Sequence, residues 1–335
     1  MLVNTFYSKN FTSYTQSAGN LNVLSSSETK REKSFNFDLF NSERKSLGLK
    51  PIDFNWLTWF IGFTEGDGAI LLNKNTQINS TSSRLRFVLT QKEGNILYEV
   101  QEKLGLGVVR FYSQGKNGYF RFIVTKNKEL FILALLFHGN LVLPHRISQI
   151  ASWVRFLTEK KLWKYGSIQT EPVFPTLKDS WFSGFTDAEG CFNVNIFARH
   201  NTLSGSRVKL RFVLDQKNAD EILIYIRNLF GFGRVSLRNK TNNVSRYSVN
   251  SFRGLKSVHD YFITYPLKTT KAISFLNWCK IYNMCLNKEH LNIEGLTKIR
   301  EIIKTINVNN SINLNTRPAS IKKENPTNKY IELKD

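Results

Sequence analysis

The sequence predicts an α+β fold built as two pseudo-symmetric halves, and three observations carry that prediction. Leu85-Arg-Phe-Val-Leu-Thr-Gln-Lys92 returns as Leu210-Arg-Phe-Val-Leu-Asp-Gln-Lys217, identical at seven of eight positions. Phe60-Ile-Gly-Phe-Thr-Glu-Gly-Asp-Gly68 has a counterpart in Phe182-Ser-Gly-Phe-Thr-Asp-Ala-Glu-Gly190. In both copies the apolar spacing switches between the 3.6-residue period of a helix and the two-residue period of a strand, in the same order. The octapeptides start 125 residues apart, far more than a solenoid period, so the repeat is two domain-sized copies. A chain of 335 residues has room for both, with extensions.

The elements of each half follow one plan. Asp53 or Asn55 can cap a first helix that ends at Gly68, and Asp179 or Ser180 its counterpart ending at Gly190. Trp56, Phe60, Phe63 and Trp181, Phe185 supply their apolar contacts. Strand-like segments come directly after, Ala69 to Gln77 and Cys191 to Arg199, and the alternating octapeptide is a second strand. Helical spacing returns at Gly94 to Leu104 and Asp220 to Phe230, closed by Gly105-Leu-Gly107 and Gly231-Phe-Gly233. Two shorter strands follow in each half, Val108 to Ser113 with Tyr119 to Thr125, and Arg234 to Asn239 with Arg246 to Ser251. A last helix closes each half, around Pro144 to Thr158 and Leu267 to Leu286.

These boundaries give a first domain at 55–158 and a second at 180–306. Residues 159–179, with Pro172 and Pro175, read as a linker crossing the surface. An extension at 1–54 and a tail at 307–335 rich in Asn and Lys are expected to be poorly ordered.

Each motif places a carboxylate, Asp67 or Glu189, immediately before the glycine that ends its helix. A helix C-terminus carries partial negative charge and exposed carbonyls, so a carboxylate there needs a compensating cation. Small residues at four-residue spacing, Gly62 with Gly66 and Gly184 with Ala188, clear one stripe of each helix and let the two approach closely. Close packing sets Asp67 beside Glu189, where two carboxylates repel unless a divalent ion allows both to ionise. Oxygen ligands without His or Cys favour a hard ion, Mg²⁺ or Mn²⁺, of the kind that serves phosphodiester hydrolysis. Glu65 and Asp187 stand two residues earlier, on another side of the helix, and read as packing or capping groups.

The octapeptide strands have two faces. Gln91 and Gln216 lie on the apolar one with Leu85, Phe87, Leu89 and Leu210, Phe212, Leu214, either as satisfied buried amides or at the edge of a site. The opposite face carries Arg84, Arg86 and Thr90 in one half, Lys209, Arg211 and Asp215 in the other. Neighbouring strands add Asn73, Asn75, Gln77 and Arg121, then Asn193, Asn195, Arg199 and Arg246. Arg reads guanine and Asn or Gln reads adenine in a major groove, while Lys and Arg also neutralise phosphate.

Composition points the same way. Forty-seven Lys and Arg against 26 Asp and Glu give a net charge of +21, which suits a polyanionic partner. The charge is spread along the chain, which argues against a membrane-surface protein, and the longest apolar run, Leu130 to Phe137, is too short to cross a bilayer. Three cysteines and five scattered histidines match neither a zinc site nor a disulfide framework, and fit a reducing compartment. The lean towards Phe, Ile, Asn, Lys and Tyr is that of A/T-rich codons, common in organellar genomes. Residues 1–27 have Lys9 as their one charge and lack both import and secretory patterns.

The paired Phe60–Gly68 and Phe182–Gly190 motifs resemble those of the LAGLIDADG homing endonucleases in their fused, double-motif form. The resemblance implies two αββαββα half-domains, each with an antiparallel sheet, forming a DNA-binding saddle with the motif helices at the central interface. It implies a monomeric, group I intron-encoded endonuclease of the mitochondrion that cuts one phosphodiester per strand of double-stranded DNA. Asp67 and Glu189 would hold Mg²⁺ with the carbonyls of Gly66 and Ala188, and Gln91 and Gln216 would belong to the water network. Lys271 is similar to the family's active-site lysine, with Lys268 as the alternative, and Arg146 is its counterpart. Some members act on group I intron RNA as maturases, which is the second reading; a DNA-binding protein without catalysis is the third. Ala69 replaces the small hydroxyl residue often found after the first motif, and with the Asp/Glu asymmetry it suggests unequal cutting of the two strands.

Overall fold

Why each half folds as it does is clearest where its first helix begins. The structure is a computed structural model that describes residues 33–77, 80–114, 117–201, 204–239 and 241–307. Asp53 accepts from the Trp56 amide at 2.9 Å and starts helix α2, Phe54–Asp67, which runs without a loop into strand β1, Gly68–Gln77. The chain continues through β2 (Ser80–Gln91), α3 (Gly94–Leu104), β3 (Val108–Gln114), β4 (Asn117–Val124), α4 (Asn127–Phe137) and α5 (Pro144–Glu159). The second half repeats this as α6 (Trp181–Glu189), β5 (Gly190–Ala198), β6 (Ser206–Lys217), α7 (Asp220–Phe230), β7 (Arg234–Asn239), β8 (Val244–Val249), α8 (Phe252–Thr264) and α9 (Lys271–Leu286), followed by α10 (Ile293–Ile303).

Both sheets are antiparallel, in the orders β1-β2-β4-β3 and β5-β6-β8-β7. Their registers match, with Gly68 opposite Leu89 and Gly190 opposite Leu214. Leu85, Phe87 and Leu89, with Leu210, Phe212 and Leu214, are buried under the helices, so the basic faces point away from the core. Helices α3 and α7 end at Gly105 and Gly231 in the left-handed region, φ 69° and 71°, where glycine carries no steric cost.

Three expectations change. Each half closes with two helices, because α4 and α8 precede the expected last one. Helix α4 contains the uniformly apolar run Leu130 to Phe137, buried except for a half-buried Phe131, which has no polar face to reveal its period. Residues 33–54 of the extension are ordered: Phe35, Phe37 and Phe40 are buried, and helix α1 (Asp38–Ser46) carries Arg44 into the first domain. Arg44 donates to the carbonyls of Leu104 at 2.5 Å and Lys103 at 3.2 Å, satisfying the C-terminal end of α3. The 159–179 segment is also more than a surface crossing. Val173 is fully buried with its amide bonded to Leu141, Phe174 donates to Lys33, and Tyr225 donates to Pro175 at 2.7 Å. Residues 1–32 and 308–335, which hold most of the remaining extension and tail, lie outside the described residues.

Candidate active site

Helices α2 and α6 meet backbone to backbone. A Cβ on Gly62 would stand 2.1 Å from the Trp181 carbonyl oxygen, and one on Gly184 would stand 1.8 Å from that of Trp59. Gly66 faces Ala188 in the same way, at 2.2 Å from the alanine Cβ. The stripe of small residues is therefore the contact itself, and a larger side chain would force the helices apart. Gly68 and Gly190 end the helices in extended conformation, and their role is clearance over Thr64 and Thr186: a Cβ would lie 2.5 Å from the Thr64 oxygen and 2.4 Å from the Thr186 methyl.

This packing gathers the carboxylates. Glu189 Cγ lies 3.2 Å from where a Gly66 Cβ would be, next to Asp67. Asp67 accepts from Gln91 Nε2 at 2.6 Å, and the Gln216 side chain stands beside Glu189 and favours its charged form. Desolvation pushes both carboxyls above the usual range, and the charge of Asp67 raises Glu189 further. Asp67 still touches solvent, while the protein packed around it supplies the desolvation.

Two cations, Arg146 buried and Lys271 half-buried, answer the misplaced charge. Arg146, in the first turn of α5, donates to the Glu65 carbonyl at 3.0 and 3.1 Å and to that of Gly66 at 3.3 Å. Lys271, at the start of α9, donates from Nζ to the carbonyls of Thr186 at 3.0 Å and Ala188 at 2.8 Å. Each therefore sits on the C-terminal end of one motif helix. Lys268 goes elsewhere, to Glu99 at 3.5 Å and over the Trp59 ring at 5.6 Å, which leaves Lys271 as the residue at the site.

Glu65 and Asp187 are buried and fully bonded. Glu65 accepts from the amides of Val142 at 2.8 Å and Leu143 at 2.7 Å, and from the Trp181 indole at 2.6 Å. Burial nonetheless pushes its carboxyl up to about 7. Asp187 accepts from the Trp59 indole and the Lys268 amide, each at 2.8 Å, and from the Thr269 amide and hydroxyl at 3.1 and 2.5 Å. These two carboxylates cap the approaches to α5 and α9.

The donor set fits a hard divalent ion. Two desolvated carboxylates that repel each other are what such an ion stabilises, and the Gly66 and Ala188 carbonyls beside them are the same kind of hard oxygen donor. Among the described residues no group of three or more His, Cys, Asp and Glu offers a competing site. The Gly66 and Ala188 carbonyls, expected as ligands, already receive Arg146 and Lys271, each with one lone pair remaining.

The basic faces assemble as the alternation requires. Asn73 lies opposite Arg84, Thr90 opposite Arg121, Asn193 opposite Arg211, Asn195 opposite Lys209 and Asp215 opposite Arg246. Arg86, Arg121 and Arg211 each have a buried Nε without a partner. Arg121 stacks on Tyr112 and Tyr119, at 5.1 and 5.0 Å. Its counterpart Arg246 is instead forked onto Asp215 at 2.6 and 2.7 Å, and Arg238 joins the same carboxylate at 2.5 Å. Burial works against ionisation of Asp215, yet the two arginines hold its carboxyl below the usual range.

Arg199 falls just past the end of β5, its amide bonded to Gly205, because the strand stops at Ala198. The side chains of Asn75 and Gln77 lie outside the described residues. Exposed Arg110, Arg207, Arg234 and Arg238 belong to these faces and were missed. Extending the period of two from Arg121, Lys209 and Arg246 across each ladder would have found the first three.

The profile described as LAGLIDADG endonuclease matches residues 60–156 and 182–282. The chain is 34% identical over 262 residues to "Probable intron-encoded endonuclease 4" of Neurospora crassa, covering 77% of this chain and 45% of that protein. It is 26% identical over 294 residues to "Uncharacterized cox1 intron-2 37.2 kDa protein" of Schizosaccharomyces pombe, covering 85% and 83%. Against "Intron-encoded RNA maturase bI4" of Saccharomyces cerevisiae it is 25% identical over 277 residues, covering 78% and 39%. Among solved structures it is similar to the LAGLIDADG meganuclease I-AabMI bound to uncleaved DNA, with TM-score 0.63, 25% identity, and 75% and 99% of the two chains covered.

Proposed function

Because the chain belongs to the LAGLIDADG endonuclease family, we propose that it is a site-specific, divalent-metal-dependent endonuclease that cuts both strands of duplex DNA where its own intron inserts. One observation carries this reading: Asp67 and Glu189 come from different halves and meet at the closest approach of α2 and α6. When bound, Mg²⁺ or Mn²⁺ supplies an activated water and stabilises the charge on the phosphoryl and leaving oxygens. Asp67 and Glu189 would hold the metal, with the Gly66 and Ala188 carbonyls as further oxygen donors. Gln91 and Gln216 orient the carboxylates and the water beside them. Arg146 and Lys271 offset the helix ends and present positive charge towards the scissile phosphates. The two basic sheets lie along the major groove, where Asn73, Arg84, Arg86, Arg121, Asn193, Lys209, Arg211 and Arg246 contact bases and phosphates.

A monomer suffices, since both poles lie in one chain. Relatives encoded in introns, one of them in cox1, and the A/T-rich composition support a mitochondrial gene. A second reading, that the protein also helps a group I intron RNA to fold, is favoured by the similarity to the bI4 maturase.

The test is purified protein with Mg²⁺ and a duplex joining the two exons that flank the intron. Asp67→Asn and Glu189→Gln should keep binding and lower cleavage at least about a hundredfold. Intact duplex with wild type, together with faster splicing of the intron transcript, would replace this reading by the maturase.

A further inference from the structure

The mechanism proposed above uses Asp67, Glu189, Arg146 and Lys271, and leaves two buried tryptophan N–H groups unexplained. Trp59 and Trp181 are 1% and 0% exposed. Their rings stack on Phe63 and Phe185, at 5.0 and 4.7 Å, a contact that phenylalanine would make equally well. What phenylalanine lacks is the indole donor. Both donors cross the helix interface to a carboxylate of the other half, Trp181 to Glu65 and Trp59 to Asp187.

Each carboxylate passes the contact on. Glu65 holds the amides of Val142 and Leu143 at the start of α5, one turn before Arg146, and Arg146 returns to the carbonyls beside Asp67. Asp187 holds Lys268 and Thr269, the Thr269 hydroxyl accepts from the Lys271 amide at 3.2 Å, and Lys271 returns to the carbonyls beside Glu189. Two chains of hydrogen bonds therefore run in opposite senses, each starting in one half and ending at the cation of the other. Glu65 and Asp187 are 2% and 4% exposed, so a lost donor is not replaced by bulk water.

We propose that Trp59 and Trp181 are positioning residues that act across the interface, each setting the cation and carboxylate pole of the opposite half. The inference rests on the endonuclease reading for its consequence, although the braces themselves do not. Each pole then reaches its working geometry only when the two helices are in register.

Trp181→Phe and Trp59→Phe keep the stacked ring and remove the donor. Strand-resolved nicking of a supercoiled plasmid carrying the exon junction is the assay, with Asp67→Asn and Glu189→Gln marking the strand each pole serves. Assayed well below each variant's melting temperature, which the unsatisfied buried carboxylate lowers, Trp181→Phe should slow the strand slowed by Asp67→Asn by about ten- to a hundredfold, and Trp59→Phe the strand slowed by Glu189→Gln. Equal slowing of both strands, slowing of the strand served by the residue's own helix, or no slowing at all would overturn the proposal. Indole resonances give a second readout without DNA: Glu65→Gln should shift the Trp181 N–H and spare that of Trp59, and Asp187→Asn the reverse. Unmoved resonances would remove the braces. If wild type cuts no DNA, the endonuclease reading falls while the resonances still decide the braces.

Discussion

A methyl group at Gly184 would stand 1.8 Å from the Trp59 carbonyl oxygen, a contact that only movement of a whole helix can relieve. Gly184→Ala should therefore destabilise the protein by about 3 kcal/mol or more, read as a lower urea midpoint. At this scale the sequence was informative where chemistry and spacing coincide. Gly62, Gly66, Gly184 and Ala188 announced a close helix contact, and the carboxylates beside them announced a missing cation. Spacing alone left Lys268 and Lys271 unresolved, since they stand three positions apart and the turn before α9 decides which ammonium reaches the Ala188 carbonyl. The tryptophan braces were illegible for another reason: an indole donor in an apolar run looks like packing until its acceptor, over 100 residues away, is placed beside it.

At the scale of elements, the two sheets share a register and differ in how they hold one arginine. Arg121 is clamped by two tyrosine rings and its Nε has no hydrogen-bond partner, whereas Arg246 is locked onto Asp215. A locked guanidinium presents one fixed set of remaining donors, and a stacked one can turn within its ring plane. Asp215→Thr, which copies Thr90 of the first half, should relax the preference at one base pair on one side of the site by about tenfold and leave the other side unchanged. Selection from a randomised duplex library, in a Glu189→Gln background, would measure it; identical preferences before and after would refute it. The strands were legible because alternation is strict and the octapeptide repeats. Helix α4 was not, because an element apolar on every side shows no period.

For the whole molecule, the halves are joined by more than the helix pair. The segment from Phe35 to Arg44 packs on the first domain, Phe174 reaches back to Lys33, and Pro175 receives Tyr225 from the second. Phe40, 1% exposed on α1, is a core residue in a stretch expected to be loose. Phe40→Ala should cost about 3–5 kcal/mol in thermal or urea unfolding, against nearly nothing if that stretch were a floppy leader. Its three phenylalanines were visible in the sequence, yet they fall outside the duplicated unit and had no second copy to give them meaning.

The loop-free passage from α2 into β1, and from α6 into β5, has a metrical consequence. Asp67 and Asn73 belong to one uninterrupted rod, as do Glu189 and Asn195. An antiparallel strand rises about 3.4 Å per residue, and stacked base pairs rise about 3.4 Å each. A strand laid along a groove would therefore advance by nearly the same step as the base pairs beneath it. On the endonuclease reading proposed above, the chain is a ruler as much as a reader: six residues of strand separate each carboxylate from the asparagine offered to the bases, and a single inserted residue would both lengthen the measure and turn its markings to the wrong face.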